Sequence, residues 1–365
     1  MNLDEYLMKM SDLDASDIFF AVGAPAMAQV NKRMVPIGEV LQPVDLDRLG
    51  EVLLSDPRAA GFGTKPDFDL ARMIPGKGRF RLNVFRQRGD LGIVARRIKP
   101  GVPSLQSLGH PAILAQLSLE RRGLLFVTGA TGSGKSTTLA AMIDHRNASL
   151  DGHIVTIEDP IEFVHPHRKS IITQREVGVD TASYEDAIKS ALRQAPDVVL
   201  IGEIRNRETA EAALHFAETG HLVMATLHST NASQTLERVM NLFPEDAHAQ
   251  IRMLLSQQLV GVVSQRLITT SDGKARVPAM EILLPSARVK DLIKAWDLGG
   301  VKAALAEAAA SGMQSFDESL YRLVRSGKLT KDDATLYADS PSDFKLRFRM
   351  EEAKTMGAET KMRLQ

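Results

Sequence analysis

An α/β domain built on a parallel sheet, preceded by a small α+β domain, is the fold class that three observations in the sequence predict. Beyond about residue 100, short wholly apolar runs alternate with helical stretches, the pattern of strands buried on both faces. Before it, apolar residues recur every second position around turn-forming clusters. Between the two lies Lys99-Pro100-Gly101-Val102-Pro103, whose prolines and glycine extend neither helix nor strand.

In order along the chain, Ile18–Val22 is a short apolar run, and Met27–Ile37 alternates around Asn31-Lys32-Arg33, which predicts a hairpin. Asp45 is the expected N-cap of a helix carrying Leu46, Leu49, Val52 and Leu53. Phe80, Leu82 and Val84 alternate with Arg81 and Asn83 as a half-buried strand, and Arg88-Gly89-Asp90 turns the chain back into Gly92–Ile98. After the break, strands are expected at Leu124–Thr128, Ile154–Ile157, Val198–Ile201 and His221–Leu227. Helices are expected between and after them, at Lys135–Ile143, Tyr184–Leu192, Arg207–Glu218 and Ala232–Leu242. From Ala287 onward the pattern is helical, with gaps at Gly299-Gly300, Gly312 and Gly327; the tail past Lys354 is polar.

Composition narrows the class. A chain of 365 residues can build two cores. Basic and acidic residues balance at 45 each, so no global field favours nucleic acid or an anionic membrane. The absence of cysteine removes disulfides, thiolate metal sites and cysteine nucleophiles together. The acidic N-terminus has no apolar stretch of the signal-peptide kind, and no run reaches the ~18–20 apolar residues of a membrane span.

The strongest chemical signal is Gly129-Ala130-Thr131-Gly132-Ser133-Gly134-Lys135-Ser136, between an apolar strand and a helix whose first turn also holds Thr137. Its glycines let successive N–H groups turn inward toward phosphate oxygens. Lys135 supplies charge for the outer phosphates, and Ser136 offers a hydroxyl to Mg2+. The following helix adds its N-terminal dipole. The loop predicts nucleoside triphosphate binding and leaves the reaction open.

Three further segments bear on the reaction. Val155–Glu162 puts Glu158, Asp159 and Glu162 just past a strand end, where a carboxylate can orient water or form a solvated acidic turn. Asp197–Glu203 is an apolar strand ending in a carboxylate, with Gly202 where an aspartate is common. The third, Gly220–His228, brackets a core strand with His221 and His228.

This ordered set, together with Leu192-Arg193-Gln194-Ala195-Pro196-Asp197 and Gly202-Glu203-Ile204-Arg205, resembles the secretion ATPase superfamily. It is most similar to the type IV pilus retraction ATPases of the PilT/PilU group, over nearly the whole chain. The resemblance implies a PAS-like domain over 1–99, a linker over 100–108 and a RecA-like P-loop NTPase core over 109–286. It further implies a C-terminal helical region over 287–350 and a tail over 351–365. Members form hexameric rings that use ATP and Mg2+ to drive pilin disassembly at the inner membrane. By resemblance, Glu162 polarises the attacking water and Glu203 acts at the Mg2+ or water network. His221 and His228 sense the γ-phosphate, and Arg81 and Arg96 (or Arg97) reach a neighbouring subunit's nucleotide.

Ala287–Lys294 departs from the Ala-Ile-Arg-Asn-Leu-Ile-like helix of PilT proteins, and the stretch past Ala338 resembles the PilU-type extension. The implied role is that of an accessory motor, cytoplasmic and peripheral to the inner membrane. Its expected partners are copies of itself, a PilT-type paralogue ring and the inner-membrane pilus platform protein. Neither nucleic acid nor membrane insertion is expected. The alternatives are a pilus extension or secretion-assembly ATPase, disfavoured by the missing cysteines and additional N-terminal domain, and a nucleic-acid-translocating motor, disfavoured by the neutral charge.

Overall fold

Asn2 and Glu5 close a reciprocal capping box at the start of helix α1 (Leu3–Asp12), the first element of the computed structural model. The structure describes residues 2–55, 67–98, 101–307 and 312–351. Lys99 and Pro100 of the expected linker, residues 308–310 of the Ala-rich run, and the tail beyond 351 lie outside these residues. The chain divides into two units: Met1–Val102 with Ile157–Pro166 and Gln174–Ser190, and Pro103–Thr156 with His167–Thr173 and Ala191–Gln365.

The first unit holds an antiparallel sheet in the order β3-β2-β1-β6-β5-β4. Its strands are β1 (Asp17–Phe20), β2 (Pro25–Val30), β3 (Arg33–Val40), β4 (Asp67–Ile74), β5 (Gly78–Gln87) and β6 (Asp90–Ile98). Asn31 and Lys32, both at positive φ, make the expected β2–β3 turn, and Arg88-Gly89 does the same between β5 and β6. Leu3, Tyr6, Leu7 and Met10 lie along one stripe of α1 and join Ile18, Phe20, Phe80, Leu82 and Ile93 in the core. Helix α2 (Pro43–Leu54) adds Leu46, Leu49 and Leu53. Its cap corrects the expectation for Asp45: the helix opens at Pro43 behind Gln42, and Asp45 is the third residue, whose carboxylate accepts from the Gln42 N–H at 2.9 Å. Proline at the first position starts the helix earlier than the apolar pattern alone suggests.

The larger sheet runs β13-β12-β7-β11-β10-β8-β9. Its strands are β7 (Gly123–Thr128), β8 (Gly152–Glu158), β9 (Ser170–Glu176), β10 (Val198–Ile201), β11 (Leu222–Leu227), β12 (Leu259–Thr269) and β13 (Arg276–Leu283). Strands β7, β10 and β11 are parallel neighbours, buried at every residue, as their unbroken apolar runs require. Strand β12 joins β7 in parallel, and β13 closes the sheet with an antiparallel edge. Helices α3 (Ile113–Ser118), α4 (Lys135–Ser149), α5 (Tyr184–Ala191), α6 (Arg207–Glu218), α7 (Ala232–Met240) and α8 (His248–Gln258) connect these strands.

The C-terminal helices are α9 (Ala287–Ala295), α10 (Leu298–Glu307), α11 (Phe316–Arg325) and α12 (Lys331–Thr335), and residues 341–351 are also helical. The expected gap at Gly299-Gly300 is misplaced: both glycines lie inside α10, and the break falls at Trp296, held left-handed at φ 62°. Asp297 accepts from the Gly300 N–H at 2.8 Å and so restarts the helix. Phe316, Leu320, Phe344 and Phe348 pack on Ile268 and Ala279 as a satellite core, with the Arg266 guanidinium 3.7 Å from the Phe316 ring centre.

Candidate active site

The phosphate loop fills the turn from β7 into α4. Gly129, Gly132 and Gly134 stand at φ 148°, 76° and 88°, conformations that carry no side chain comfortably. A Cβ at Gly129 would lie 2.4 Å from the Gln265 carbonyl oxygen, and one at Gly134 would lie 2.8 Å from Gln265 Nε2. The Ser133 hydroxyl is buried in the loop and has no hydrogen-bond partner among the described residues. Lys135 Nζ donates to the carbonyls of Gly129 and Ala130 at 2.9 and 3.1 Å, so its ammonium stands across the loop. First-turn amides of a helix have no partner within it, and at α4 they open toward this curl.

A relay of side chains supports the loop from beneath. Thr138 donates to Gln265 Oε1 at 2.7 Å, and Gln265 Nε2 donates to the Ser133 carbonyl at 2.7 Å. Because the Thr138 proton is committed, His110 Nε2, 2.9 Å away, is the donor of the third bond. Burial pushes the His110 ring down to about 4, so it is neutral at physiological pH. The sequence singled out neither His110 nor Gln265. They come from distant segments, and only the sheet order brings them under the loop.

At the same carboxyl edge of the parallel strands, β10 runs into Glu203 and β11 into His228. His228 Nε2 lies 3.1 Å from Glu203 Oε1, and Arg205 Nε donates to Glu203 Oε2 at 2.6 Å. Thr128 pairs in register with Leu227, so His228 follows its strand beside Gly129. The structure thus unites Glu203, His228 and the loop.

It does not bring His221 to them. His221 precedes β11, and six strand residues separate it from His228, roughly 20 Å of extended chain. It packs edge-on against Phe216, and its Nδ1 lies 3.0 Å from the Phe216 carbonyl. The two histidines that bracket β11 thus stand at its opposite ends.

Glu162, Arg81 and Arg96 belong to the first unit. Glu162 is exposed in the segment after β8. That segment is held by Gln174 Nε2, which donates to the Phe163 carbonyl at 2.8 Å and to Glu158 at 3.2 Å. Beside it, the buried Glu176 accepts from Arg79 at 2.9 Å and from the Ile161 N–H at 3.3 Å. Arg81 and Arg96 face each other across β5 and β6. Their like charges are offset by flanking acids: Arg81 pairs with Asp69 at 3.0 Å and Arg96 with Asp17 at 2.7 Å. Arg97 pairs with Asp14 and is 11% exposed, whereas the Arg96 side chain is 70% exposed.

No group of three or more His, Asp or Glu residues that could hold a metal occurs among the described residues. Ser136, in the first turn of α4, offers a hydroxyl, and Glu203, just beyond β10, a carboxylate. Such a set fits Mg2+, which keeps several waters and takes the rest of its shell from phosphate oxygens.

Residues 102–326 match the family model described as Type II/IV secretion system protein. The chain is 43% identical to the Type IV pilus ATPase PilU of Pseudomonas aeruginosa over 96% of its own length and 92% of that protein's. It is 39% identical to the Type IV pilus retractation ATPase PilT of the same organism, over 94% of this chain and all of PilT (100%). A crystal structure of the pilus retraction motor PilT with bound ADP superposes with a TM-score of 0.86 at 38% identity, covering 94% of this chain and 98% of that one.

Proposed function

Since the chain belongs to the family of type II/IV secretion system proteins, we propose that it couples ATP hydrolysis to retraction of a type IV pilus through a carboxylate–histidine pair set beside a phosphate loop. It is an ATP hydrolase with a RecA-like secretion-ATPase fold and a pilus retraction motor. The observation that carries the reading is the 3.1 Å contact of His228 with Glu203 at the strand edge where the loop begins.

Residues Gly129–Thr137 bind the phosphates through backbone amides and the Lys135 ammonium, which swings from its loop carbonyls to do so. Ser136 holds Mg2+, whose charge, when bound, offsets that of the outer phosphate oxygens. Glu162 orients the attacking water, and Glu203 fixes His228 so that its ring faces the departing phosphate. Arg81 and Arg96 of one copy meet the nucleotide of the next; the greater exposure of Arg96 favours it over Arg97. His221 contributes from the far end of β11 rather than by touching phosphate.

Residues 1–99 form a PAS-like domain, and copies close into a hexameric ring by repeated head-to-tail contacts. The ring acts beside a PilT-type paralogue ring and against the pilus platform protein, on the cytoplasmic side of the inner membrane. The greater identity to PilU than to PilT supports the accessory role. Among the described residues, no helix is long and apolar enough to cross a membrane.

The test is deletion in the native cell, with retraction scored after complementation. Retraction restored by the wild-type chain and not by Lys135→Ala supports the reading. Restoration by Lys135→Ala would mean that this subunit contributes structure, not hydrolysis.

A further inference from the structure

The end of the parallel sheet away from the phosphate loop carries a second, strongly basic cavity. Its volume is about 730 Å³, and it is lined by Arg121, Arg122, Arg146, Pro196, Asp197, Gly220 and His221. Three guanidiniums and an imidazole therefore face a single carboxylate.

Asp197 Oδ2 accepts from the His153 N–H at 2.7 Å, and its negative charge also bears on the Arg146 guanidinium. Arg146 is only 6% exposed, and its Nη1 donates to the carbonyls of Ser118 and Glu120 at 3.0 and 2.7 Å. Those bonds anchor the segment leading to Arg121 and Arg122. Both of these arginines are exposed, and among the described residues neither forms an ion pair or a side-chain hydrogen bond. The Phe216 carbonyl fixes His221 with Nδ1 as the donor, which turns Nε2 to the other side of the ring.

Three guanidiniums around one concavity, two of them unpaired, outnumber its single carboxylate and leave net positive charge that an anion offsets. Guanidiniums match phosphate oxygens in paired geometry, and the volume is in the range of small-ligand sites, roughly 300–1,000 Å³. We propose that this cavity is a second anion site, distinct from the phosphate loop, which binds a small phosphate-bearing ligand through Arg121, Arg122 and Arg146.

The site stands where β10 and β11 begin, and the same two strands end at Glu203 and His228. A ligand here touches the opposite ends of the strands that carry the catalytic pair. The proposal itself needs only binding and does not depend on the hydrolytic reading.

The experiment is calorimetric titration of sodium pyrophosphate into the full-length chain, with the phosphate loop saturated by ADP in Mg2+-free buffer. The expected result is one pyrophosphate bound per chain while ADP stays bound. The double variant Arg121→Gln/Arg122→Gln should weaken that binding by about tenfold or more, with retained ADP affinity reporting the fold. Absence of pyrophosphate binding by the wild-type chain at millimolar concentration overturns the proposal, whatever the variant does. So does undiminished binding by a folded double variant. If the wild type binds no pyrophosphate and the double variant changes oligomeric state in sedimentation, the arginines serve contacts between copies instead.

Discussion

His110 Nε2 lies 2.9 Å from the Thr138 hydroxyl, and this contact ties a loop preceding α3 to the relay that holds the phosphate cradle. The ring is pushed down to about 4 from its ordinary 6.5 by burial. Between those values the unfolded chain binds more protons than the native one, so stability is full above 6.5 and falls as pH drops through 4. The contribution is up to about 3 kcal/mol. His110→Gln keeps a donor and should lose less stability than the wild type between pH 8 and pH 5, measured by thermal unfolding. An equal loss in both proteins would refute the relay's protonation state.

Glu281 predicts the opposite slope. It is 6% exposed, and burial raises its carboxyl to about 7 from 4.5, although the Ala232 N–H at the start of α7 donates to it at 2.7 Å. The native state then holds the extra proton between 4.5 and 7, so this group's contribution declines as pH rises across that window. Glu281→Gln retains the acceptor without the charge. Relative to wild type it should gain roughly 2–3 kcal/mol from pH 4.5 to pH 7.5. Denaturant titrations at the two pH values measure the difference.

Gly134 stands at φ 88°, with Gln265 Nε2 and Leu267 in the space a Cβ would take. Gly134→Ala combines backbone strain of about 1–2 kcal/mol with displacement of the Gln265 support. ADP affinity should fall at least about tenfold in equilibrium binding, more than global stability changes suggest. Gly132, at φ 76° with nothing within 4 Å of its Cβ position, should tolerate alanine better.

Removing one member of the Glu203–His228 pair tests its place in turnover. Glu203→Gln and His228→Ala should each reduce steady-state hydrolysis by about 10²–10³-fold while changing ADP affinity only a few-fold. The double variant should be little worse than either single one, because the residues act as a unit. Additive losses would separate their roles.

The parts of this site that follow from local chemistry were legible in the sequence. The phosphate loop carries its own glycines, lysine and flanking strand, and the β2–β3 and β5–β6 turns carry residues that tolerate positive φ. Helix α1 was legible in principle, since Asn2 and Glu5 have capping-box spacing, but its stripe is short. The two histidines of the Gly220–His228 segment show the limit: sequence proximity groups them, and an extended strand sets them at opposite edges. Gln265 and His110 were invisible because their value lies in non-local register. Gln265 reaches the loop only through the pairing of Ser264 with Thr128 in β12 and β7.

The most direct measurement of the site built on the cradle, Glu203 and His228 is steady-state phosphate release from ATP and Mg2+ by purified protein. Turnover by the wild-type chain is expected, with nucleotide binding and turnover both lost in Lys135→Ala. In Glu162→Gln, binding should be retained with turnover slowed by about 10²-fold or more. Wild-type turnover in Lys135→Ala would contradict the assignment, and wild-type turnover in Glu162→Gln would move the water-orienting role to another residue.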